Sequence, residues 1–82
     1  MTKLEEKLNE LGYELKYERE NTTIYKKDYK YYEFQIEIIE NVVVDGCLEN
    51  QCNVFFIQQD IDNLQQAFNQ LQQDLEVLKE YE

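Results

Sequence analysis

Apolar residues recur at alternating spacings of three and four over the last third of the chain, from Gln58 to Tyr81. This spacing places them in one stripe along a helix, and no glycine or proline interrupts the segment. The pattern predicts a long amphipathic helix that begins between Gln58 and Asp60, where Asp60 can cap the first turn. The stripe consists of Ile61, Leu64, Phe68, Leu71, Leu75 and Leu78.

The stripe is narrow, because it occupies almost only the a and d positions of a heptad and has polar residues on both sides. It has two interpretations. In the first, the stripe packs on the sheet of the same chain and belongs to the core. In the second, it forms a seam that a second copy of the chain or the helix of a partner contacts.

The first segment has sequence signals for both ends of a helix. Thr2 and Glu5 form a T-x-x-E capping box, and Gly12 can close the helix in a left-handed conformation. We therefore expect a helix over about residues 3 to 11. Three leucines share one face of this helix and need a surface to lie on, namely Leu4, Leu8 and Leu11.

From Tyr13 onward the apolar period changes to two, which predicts β-strands. The first strand should cover residues 13 to 18 and the second residues 22 to 28, with a turn at Asn21 between them. A further turn is expected around Asp28, among Lys26, Lys27 and Lys30. The buried side of the first strand should carry Tyr13, Leu15 and Tyr17.

The third strand has the clearest alternation, over residues 32 to 38, and is long enough to cross a small domain. We expect it at or near the centre of the sheet. One more hairpin is expected from residues 42 to 44 and 53 to 57. Its turn lies either at Asp45 and Gly46 or in a loop over residues 48 to 51.

The predicted order is helix, three or four antiparallel strands, and long helix, which defines a two-layer α+β fold. Residues 1–82 should form a single domain with one modest core. We expect both helices on one face of the sheet. The other face should then carry Glu14, Lys16, Glu18, Glu33, Gln35 and Glu37.

The residue types that are missing exclude several chemistries. The chain has no His, Ser or Trp, so that neither a Ser/His/Asp triad nor a Cys/His pair can form within it. Two cysteines without histidine cannot complete a zinc site of nitrogen and sulfur ligands, and two glycines cannot build a phosphate-binding loop. We expect no catalytic residue, no metal and no cofactor.

Cys47 and Cys52 flank the candidate loop and can face each other across a hairpin. The segment that begins the chain is charged rather than a secretory signal, and no apolar run reaches the roughly twenty residues that span a bilayer. A cytoplasmic location is therefore expected. In that reducing compartment two free thiols are favoured over a disulfide, although the spacing leaves a disulfide open.

Acidic residues dominate the charge: 18 Asp and Glu against 8 Lys and Arg give a net charge of −10 and a pI near 4.3. Direct binding to nucleic acid is disfavoured, since phosphates require a cationic surface. The acidity either keeps a small protein soluble or forms a surface that binds a basic partner.

In the second interpretation the partner is itself a protein that binds nucleic acid. Alternate residues of a strand advance about 6.6 to 6.8 Å, roughly two base steps of one DNA strand, so carboxylates can be presented much as DNA presents phosphates. The candidate partner-binding residues are Glu14, Glu18, Glu33, Gln35, Glu37, Asp45 and Glu49.

Two segments carry a resemblance to known proteins. They are the opening of the form KLxExLxELGYE, from Lys3 to Glu14, and the closing helix DIDNLQQAFNQLQQDLEVL, from Asp60 to Leu78. In these segments and in its overall build the chain resembles small acidic proteins carried by phages and prophages of Gram-positive bacteria. That set includes anti-CRISPR proteins, several of which are similar acidic α+β domains that occupy the DNA-binding surface of a Cas nuclease.

This resemblance implies a non-enzymatic inhibitor, active in the cytoplasm of the host cell, that covers the basic DNA-binding surface of a host protein such as a CRISPR-Cas nuclease. The alternative hypothesis is a structural or assembly module. Such a module forms a homodimer or docks a partner through the leucine seam of its last helix.

Overall fold

The computed structural model describes residues 2–50 and 58–82. It contains a short helix, an antiparallel sheet of four strands and a long helix that packs on the sheet, which confirms the predicted α+β fold. In chain order the elements are α1 (Lys3–Glu10), β1 (Glu14–Arg19), β2 (Thr22–Tyr29), β3 (Tyr32–Ile39), β4 (Val42–Asn50) and α2 (Gln58–Lys79).

Helix α1 begins and ends where its sequence signals predict. The hydroxyl oxygen of Thr2 accepts a hydrogen bond from the backbone N–H of Glu5 at 3.1 Å, as a capping box requires. Gly12 follows the helix with φ of +97°, a left-handed conformation that glycine adopts without strain. Leu4 and Leu8 are fully buried, so this short helix is held by its apolar face.

The four strands pair in sequence order, β1-β2-β3-β4, through three hairpins with two-residue turns. The first residue of each turn has a positive φ, as primed hairpin turns require: these are Glu20, Lys30 and Glu40. The expected turn around Asp28 is wrong, because β2 continues to Tyr29 and the chain reverses at residues 30 and 31. Lys26 and Lys27 therefore lie in the strand, and Lys30 lies in the turn.

Strand β3 lies in the interior of the sheet, between β2 and β4, as its alternation predicts. Every second residue of β3 faces the helices and is buried, while the intervening residues face the opposite side. The core is therefore centred on β3. Its buried apolar residues are Leu4, Leu8, Tyr13, Tyr25, Tyr32, Phe34, Ile36, Ile38, Ala67, Leu71 and Leu78.

The expectation that one side of β1 is buried is wrong, and for Tyr17 the reason is a bulge in this strand. Leu15 pairs with Tyr25 and Tyr17 pairs with Ile24, so that Lys16 is an extra residue between them. Beyond this point the side chains change faces. Leu15 and Tyr17 are 51% and 44% exposed, and of the three expected core residues in this segment the structure buries Tyr13.

The expected hairpin after residue 42 is also wrong in its first half. Val42–Asn50 form one continuous strand, and Asp45 and Gly46 pair in its middle with Glu37 and Ile36. Gly46 belongs there because a Cβ atom at this position would lie 2.9 Å from Cδ1 of Leu75. The glycine therefore admits α2 onto the strand. Residues 53 to 57, the expected second half of the hairpin, lie outside the described residues.

The buried face of α2 differs from the apolar stripe in the sequence. Leu71 and Leu78 belong to the core of this chain, and Leu64 and Leu75 pack partly against it. Ile61 and Phe68 are 44% and 52% exposed. Ala67 and Asp74 are buried in their place, together with Leu71 and Leu78. In sequence order these four residues are separated by four, three and four positions, which places them on one face of the helix.

Candidate functional site: the acidic open face

The candidate site is the face of the sheet that carries neither helix, here called the open face. Alternation along β3 directs Glu33, Gln35 and Glu37 to this side, while the residues between them enter the core. The pairing register extends these positions into rows across the sheet. One row joins Asp28, Glu33 and Glu49, and a second joins Glu37 and Asp45.

Two of these pairings place carboxylates directly opposite each other, Glu33 with Glu49 and Glu37 with Asp45. Directly opposed residues of an antiparallel pair have Cα atoms about 4.5 to 5.5 Å apart. Like charges at this separation destabilise a sheet, by roughly 0.2 to 1 kcal/mol per pair. Repulsion between Glu37 and Asp45 therefore works against the stability of the sheet, whereas Lys16 offsets the charge of Glu33.

Glu33 is the one acid of the row that neighbouring side chains cover. Its Oε2 accepts hydrogen bonds from Nζ of Lys16 and from Nε2 of Gln35, both at 2.7 Å. The bond from Lys16, followed by that from Gln35, lowers the pKa of the Glu33 carboxyl, and the same ion pair raises the pKa of Lys16. Glu33 is only 8% exposed, so little of its side chain is accessible at the surface of the open face.

The acids available to a partner lie around Glu33. Asp45 and Glu49 are exposed and Glu37 is half-buried. Glu37 and Glu49 form no ion pair with another residue that the structure describes. Glu14 is exposed and lies 3.4 Å from Nζ of Lys26, which partly neutralises it. The free negative charge is therefore concentrated on β3 and β4.

Apolar side chains adjoin the acids at one end of the open face. The bulge in β1 turns Tyr17 to this side, opposite Ile24, and the pair Ile39 and Val42 lies in the next row. Tyr17 and Val42 are both more than two-fifths exposed. At this end of the open face, exposed apolar side chains therefore lie beside the acids.

The structure brings together six of the seven predicted partner-binding residues. Glu18 is the exception, and its assignment to the open face is wrong: the bulge pairs it with Thr23, which faces the helices. Asp45 reaches the open face from the middle of β4 and not from a turn. Strand β2 adds Asp28, which the sequence had suggested for a turn. The six residues on this face are Glu14, Glu33, Gln35, Glu37, Asp45 and Glu49.

Cys47 lies opposite Gln35 in the middle of the open face and is a free thiol. Burial raises its pKa, and so do the charges of Glu49 and Asp45. A thiol in such surroundings stays protonated near neutral pH and is a weak nucleophile. Its expected neighbour Cys52 lies outside the described residues.

A second polar cluster, which sequence reasoning missed, is buried between the sheet and α2. Oδ2 of Asp74 accepts hydrogen bonds from Nζ of Lys27 at 2.7 Å and from the hydroxyl of Tyr13 at 2.9 Å. Gln70 donates to the other carboxylate oxygen at 3.0 Å. Lys27 also donates to the carbonyl of Leu11 at 3.1 Å. These bonds join α2, β2 and the end of α1.

The members of this cluster also stabilise one another beyond their hydrogen bonds. Nζ of Lys27 lies 4.8 Å from the centre of the Tyr13 ring, which adds a cation–π contact to the ion pair. Burial, followed by the charge and hydrogen bond of Asp74, raises the pKa of Tyr13 far above its ordinary value, so the phenol stays neutral. Among the described residues, no buried side-chain nitrogen or oxygen lacks a hydrogen-bonding partner, and this holds for the cluster as well.

One signal in the sequence marks Asp74. It lies three residues after Leu71 and four before Leu78, which is a core position of α2. A carboxylate at such a position requires a buried cation or several donors, and the lysines of β2 are the nearest candidates in a sheet of this order.

Among residues 2–50 and 58–82, no group of three or more acidic or cysteine side chains is arranged to hold a metal ion. No helix within the same ranges combines the length and the apolar character needed to cross a membrane. Comparison with known proteins found no matching family model, no matching curated protein and no matching solved structure.

Proposed function

We propose that this chain is a non-enzymatic binding protein whose open face occupies a basic surface of a partner that itself binds nucleic acid. The observation that carries the proposal is the group of accessible carboxylates on β3 and β4, in which Glu37 lies directly opposite Asp45 and Glu49 lies opposite the covered Glu33. Sheet stability favours opposite charges at such positions, so a partner's cations are the natural complement. In its build the chain resembles small acidic phage and prophage proteins, a set that includes anti-CRISPR proteins, and this makes a CRISPR-Cas nuclease one candidate partner.

Binding would proceed by electrostatic attraction followed by apolar contact. The net charge of −10 draws a basic surface toward the chain, and the exposed acids of β3 and β4 pair with its Lys and Arg side chains. Tyr17 and Val42 then exclude water at the margin of the acids. The partner's nucleic acid is displaced because it needs the same cations.

The first experiment is an affinity capture from the lysate of a Gram-positive host, at about 0.05 M and about 0.5 M salt, with the bound proteins identified by mass spectrometry. We expect nucleic-acid-binding proteins at low salt, their loss at high salt, and their release by added duplex DNA. The double variant Glu37→Lys and Glu49→Lys should weaken the binding of a purified partner at least about tenfold.

The matched control is Glu80→Lys combined with Glu6→Lys, which makes the same change in net charge at exposed positions away from the open face. It should reduce binding far less than the open-face variant. Equal losses for the two variants would show that net charge alone is responsible and would contradict a specific face. Captured proteins that DNA does not release would contradict competition for a nucleic-acid site.

A second candidate function is self-association through α2, and the exposure of Ile61 and Phe68 favours it. These residues lie two turns apart on one face, with the uncharged Gln65 and Gln72 between and beyond them. A chain of net charge −10 repels its own copy over most of its surface, and this strip is a place where two copies can approach. The surface of self-association would then contain fewer residues than the six of the predicted seam.

Light scattering coupled to size-exclusion chromatography tests this candidate. If two copies meet at this strip, Phe68→Glu should convert a dimer to a folded monomer. Leu71→Glu is the comparison, because Leu71 lies in the core and the same charge there should unfold the chain. A monomeric wild-type protein at high micromolar concentration would overturn self-association.

A further inference from the structure

A hollow of about 210 Å³ lies on the surface of α2, and only residues of this helix line it: Gln72, Leu75, Glu76 and Lys79. In sequence order the four residues follow one another at spacings of three, one and three. Four residues spaced in this way form the hole of knobs-into-holes packing, into which a helix of another chain inserts one side chain. A cavity of about 150 Å³ can hold benzene, so the hollow has room for an aromatic ring.

Phe68 is an exposed aromatic residue on the same flank of α2. It lies seven residues before Leu75, which places the two residues on one side of the helix about two turns apart. Its side chain is 52% exposed, although the helix buries other apolar residues in the core. At a rise of about 1.5 Å per residue the centre of the hollow lies about 11 Å from Phe68 along the axis, and Phe68 does not line the hollow of its own chain.

We infer that Phe68 of one copy fills this hollow in a second copy, with the two α2 helices antiparallel. A two-fold axis beside Gln72 produces both contacts at once, because Phe68 and the centre of the hollow are almost equally far from Gln72 on its two sides. The two copies of Gln72 meet at the axis, where each amide can donate and accept a hydrogen bond. This inference rests on the second candidate function and deepens it, since it specifies the direction of the helices and the contact.

The charge of the paired segment is suited to a second copy. The chain has a net charge of −10, yet residues 63–73 contain no charged residue. At the hollow, Glu76 and Lys79 carry opposite charges that cancel. In the antiparallel pair the two copies of Glu76 lie about 12 Å apart along the helices, which exceeds the Debye length of about 10 Å in about 0.1 M salt. A parallel pair brings each Glu76 beside its own copy, and the repulsion disfavours that direction.

Sedimentation equilibrium at concentrations up to about 500 µM tests the contact. We expect a reversible dimer with a dissociation constant of about 10 to 100 µM, because one helix from each copy forms a small interface. Phe68→Ala should raise this constant at least about tenfold, since it empties both hollows of the dimer. A wild-type protein that stays monomeric over this range would overturn the inference together with self-association through α2.

The matched control is Ile61→Ala, which truncates the other exposed apolar residue of the strip. Ile61 is 44% exposed, but in this pairing it lies beyond the end of the partner's helix, which ends at Lys79. Its truncation should change the dissociation constant less than about twofold. Equal effects of Ile61→Ala and Phe68→Ala would preserve self-association and overturn the contact between Phe68 and the hollow.

Disulfide cross-linking tests the direction of the helices. In a chain that carries Cys47→Ala and Cys52→Ala, one cysteine is introduced at a time by Gln65→Cys, Gln72→Cys or Lys79→Cys. These exposed positions are seven residues apart and share one side of α2. The Gln72→Cys variant should cross-link with its own copy. The Gln65→Cys variant should not, because its two copies lie about 21 Å apart along the helices and a disulfide joins Cα atoms within about 7 Å.

A mixture of the Gln65→Cys and Lys79→Cys variants gives the positive counterpart. The two positions are equally far from Gln72, so the antiparallel pair places them opposite each other and should yield the mixed dimer. Cross-linking of Gln65→Cys and of Lys79→Cys each with its own copy would establish a parallel pair and overturn the inference. The open face lies on the other side of the sheet from α2, so failure here leaves binding of a basic partner untouched, and the reverse also holds.

Discussion

At the scale of single residues, the fold depends on one buried ion pair. Lys27 and Asp74 come from different layers, and their side chains are 16% and 3% exposed. Removing a charge from water is costly, and the cost is recovered only if the partner and the surrounding hydrogen bonds are in place. Tyr13 and Gln70 donate further hydrogen bonds to Asp74, so that each of its two carboxylate oxygens has a partner.

Asp74→Ala should lower the free energy of unfolding by about 3 to 5 kcal/mol, because it leaves Lys27 buried without a counter-charge. Urea denaturation followed by circular dichroism measures the loss. The double variant Lys27→Met and Asp74→Leu should recover most of it, since an apolar pair of similar size removes the unpaired charge. A loss below about 1 kcal/mol for Asp74→Ala would mean that water solvates Lys27 and that the pair is not a buried one.

At the scale of elements, the approach of α2 to β4 is set by a missing side chain. Gly46 does not have a positive φ, so a left-handed conformation is not the reason for a glycine here. Its role is to leave space for α2. The methyl groups of Leu75 occupy that space. The Asp-Gly pair, which in many chains marks a hairpin turn, serves here as a contact site in the middle of a strand.

Gly46→Ala should destabilise the protein by about 1 to 3 kcal/mol, because the new methyl group forces Leu75 and α2 to move. In a Leu75→Ala background the same substitution should be neutral or stabilising, since the obstacle is gone and alanine suits a strand better than glycine. A double-mutant cycle measured by urea denaturation gives the coupling energy. Additive effects of the two substitutions would contradict a direct contact.

The helices and strands were predictable from the local sequence pattern, but the side of each that is buried was predictable only in part. The capping box of Thr2 and the alternation of β3 fixed the bounds and direction of their segments, because both depend on neighbours in sequence. The bulge at Lys16 was not predictable, since an extra residue leaves the sequence pattern unchanged while it reverses every face beyond it. Glu18 lies outside the predicted site because of the one extra residue, Lys16.

At the scale of the whole molecule, stability and charge oppose each other. The chain carries a net charge of −10 and places acids opposite acids on its open face. Both features raise the electrostatic energy of the folded state. Under the proposed function these acids bind the partner, and a loss of stability at a functional site is common.

Glu37→Gln should therefore raise the free energy of unfolding by roughly 0.5 kcal/mol at low salt, because it removes the repulsion from Asp45. The gain should shrink in about 1 M salt, where the Debye length falls to about 3 Å. Glu14→Gln is the matched control: Glu14 lies beside Lys26, so its loss should bring no gain. A lower stability for Glu37→Gln would show that this acid has a favourable partner in the fold.

By itself, the sequence determined the order of helices and strands, the α+β class, the bounds of α1 and β3 and most of the acidic site, because these depend on spacings of two, three and four between neighbours. Only the tertiary structure decided which side of β1 and which side of α2 is buried. The face of α2 is set by Lys27 and Gly46, which are distant in sequence, and they select Asp74 and Leu75 over the exposed Phe68. Long-range packing has no period along the chain, and this is the physical reason that the pattern could not show it.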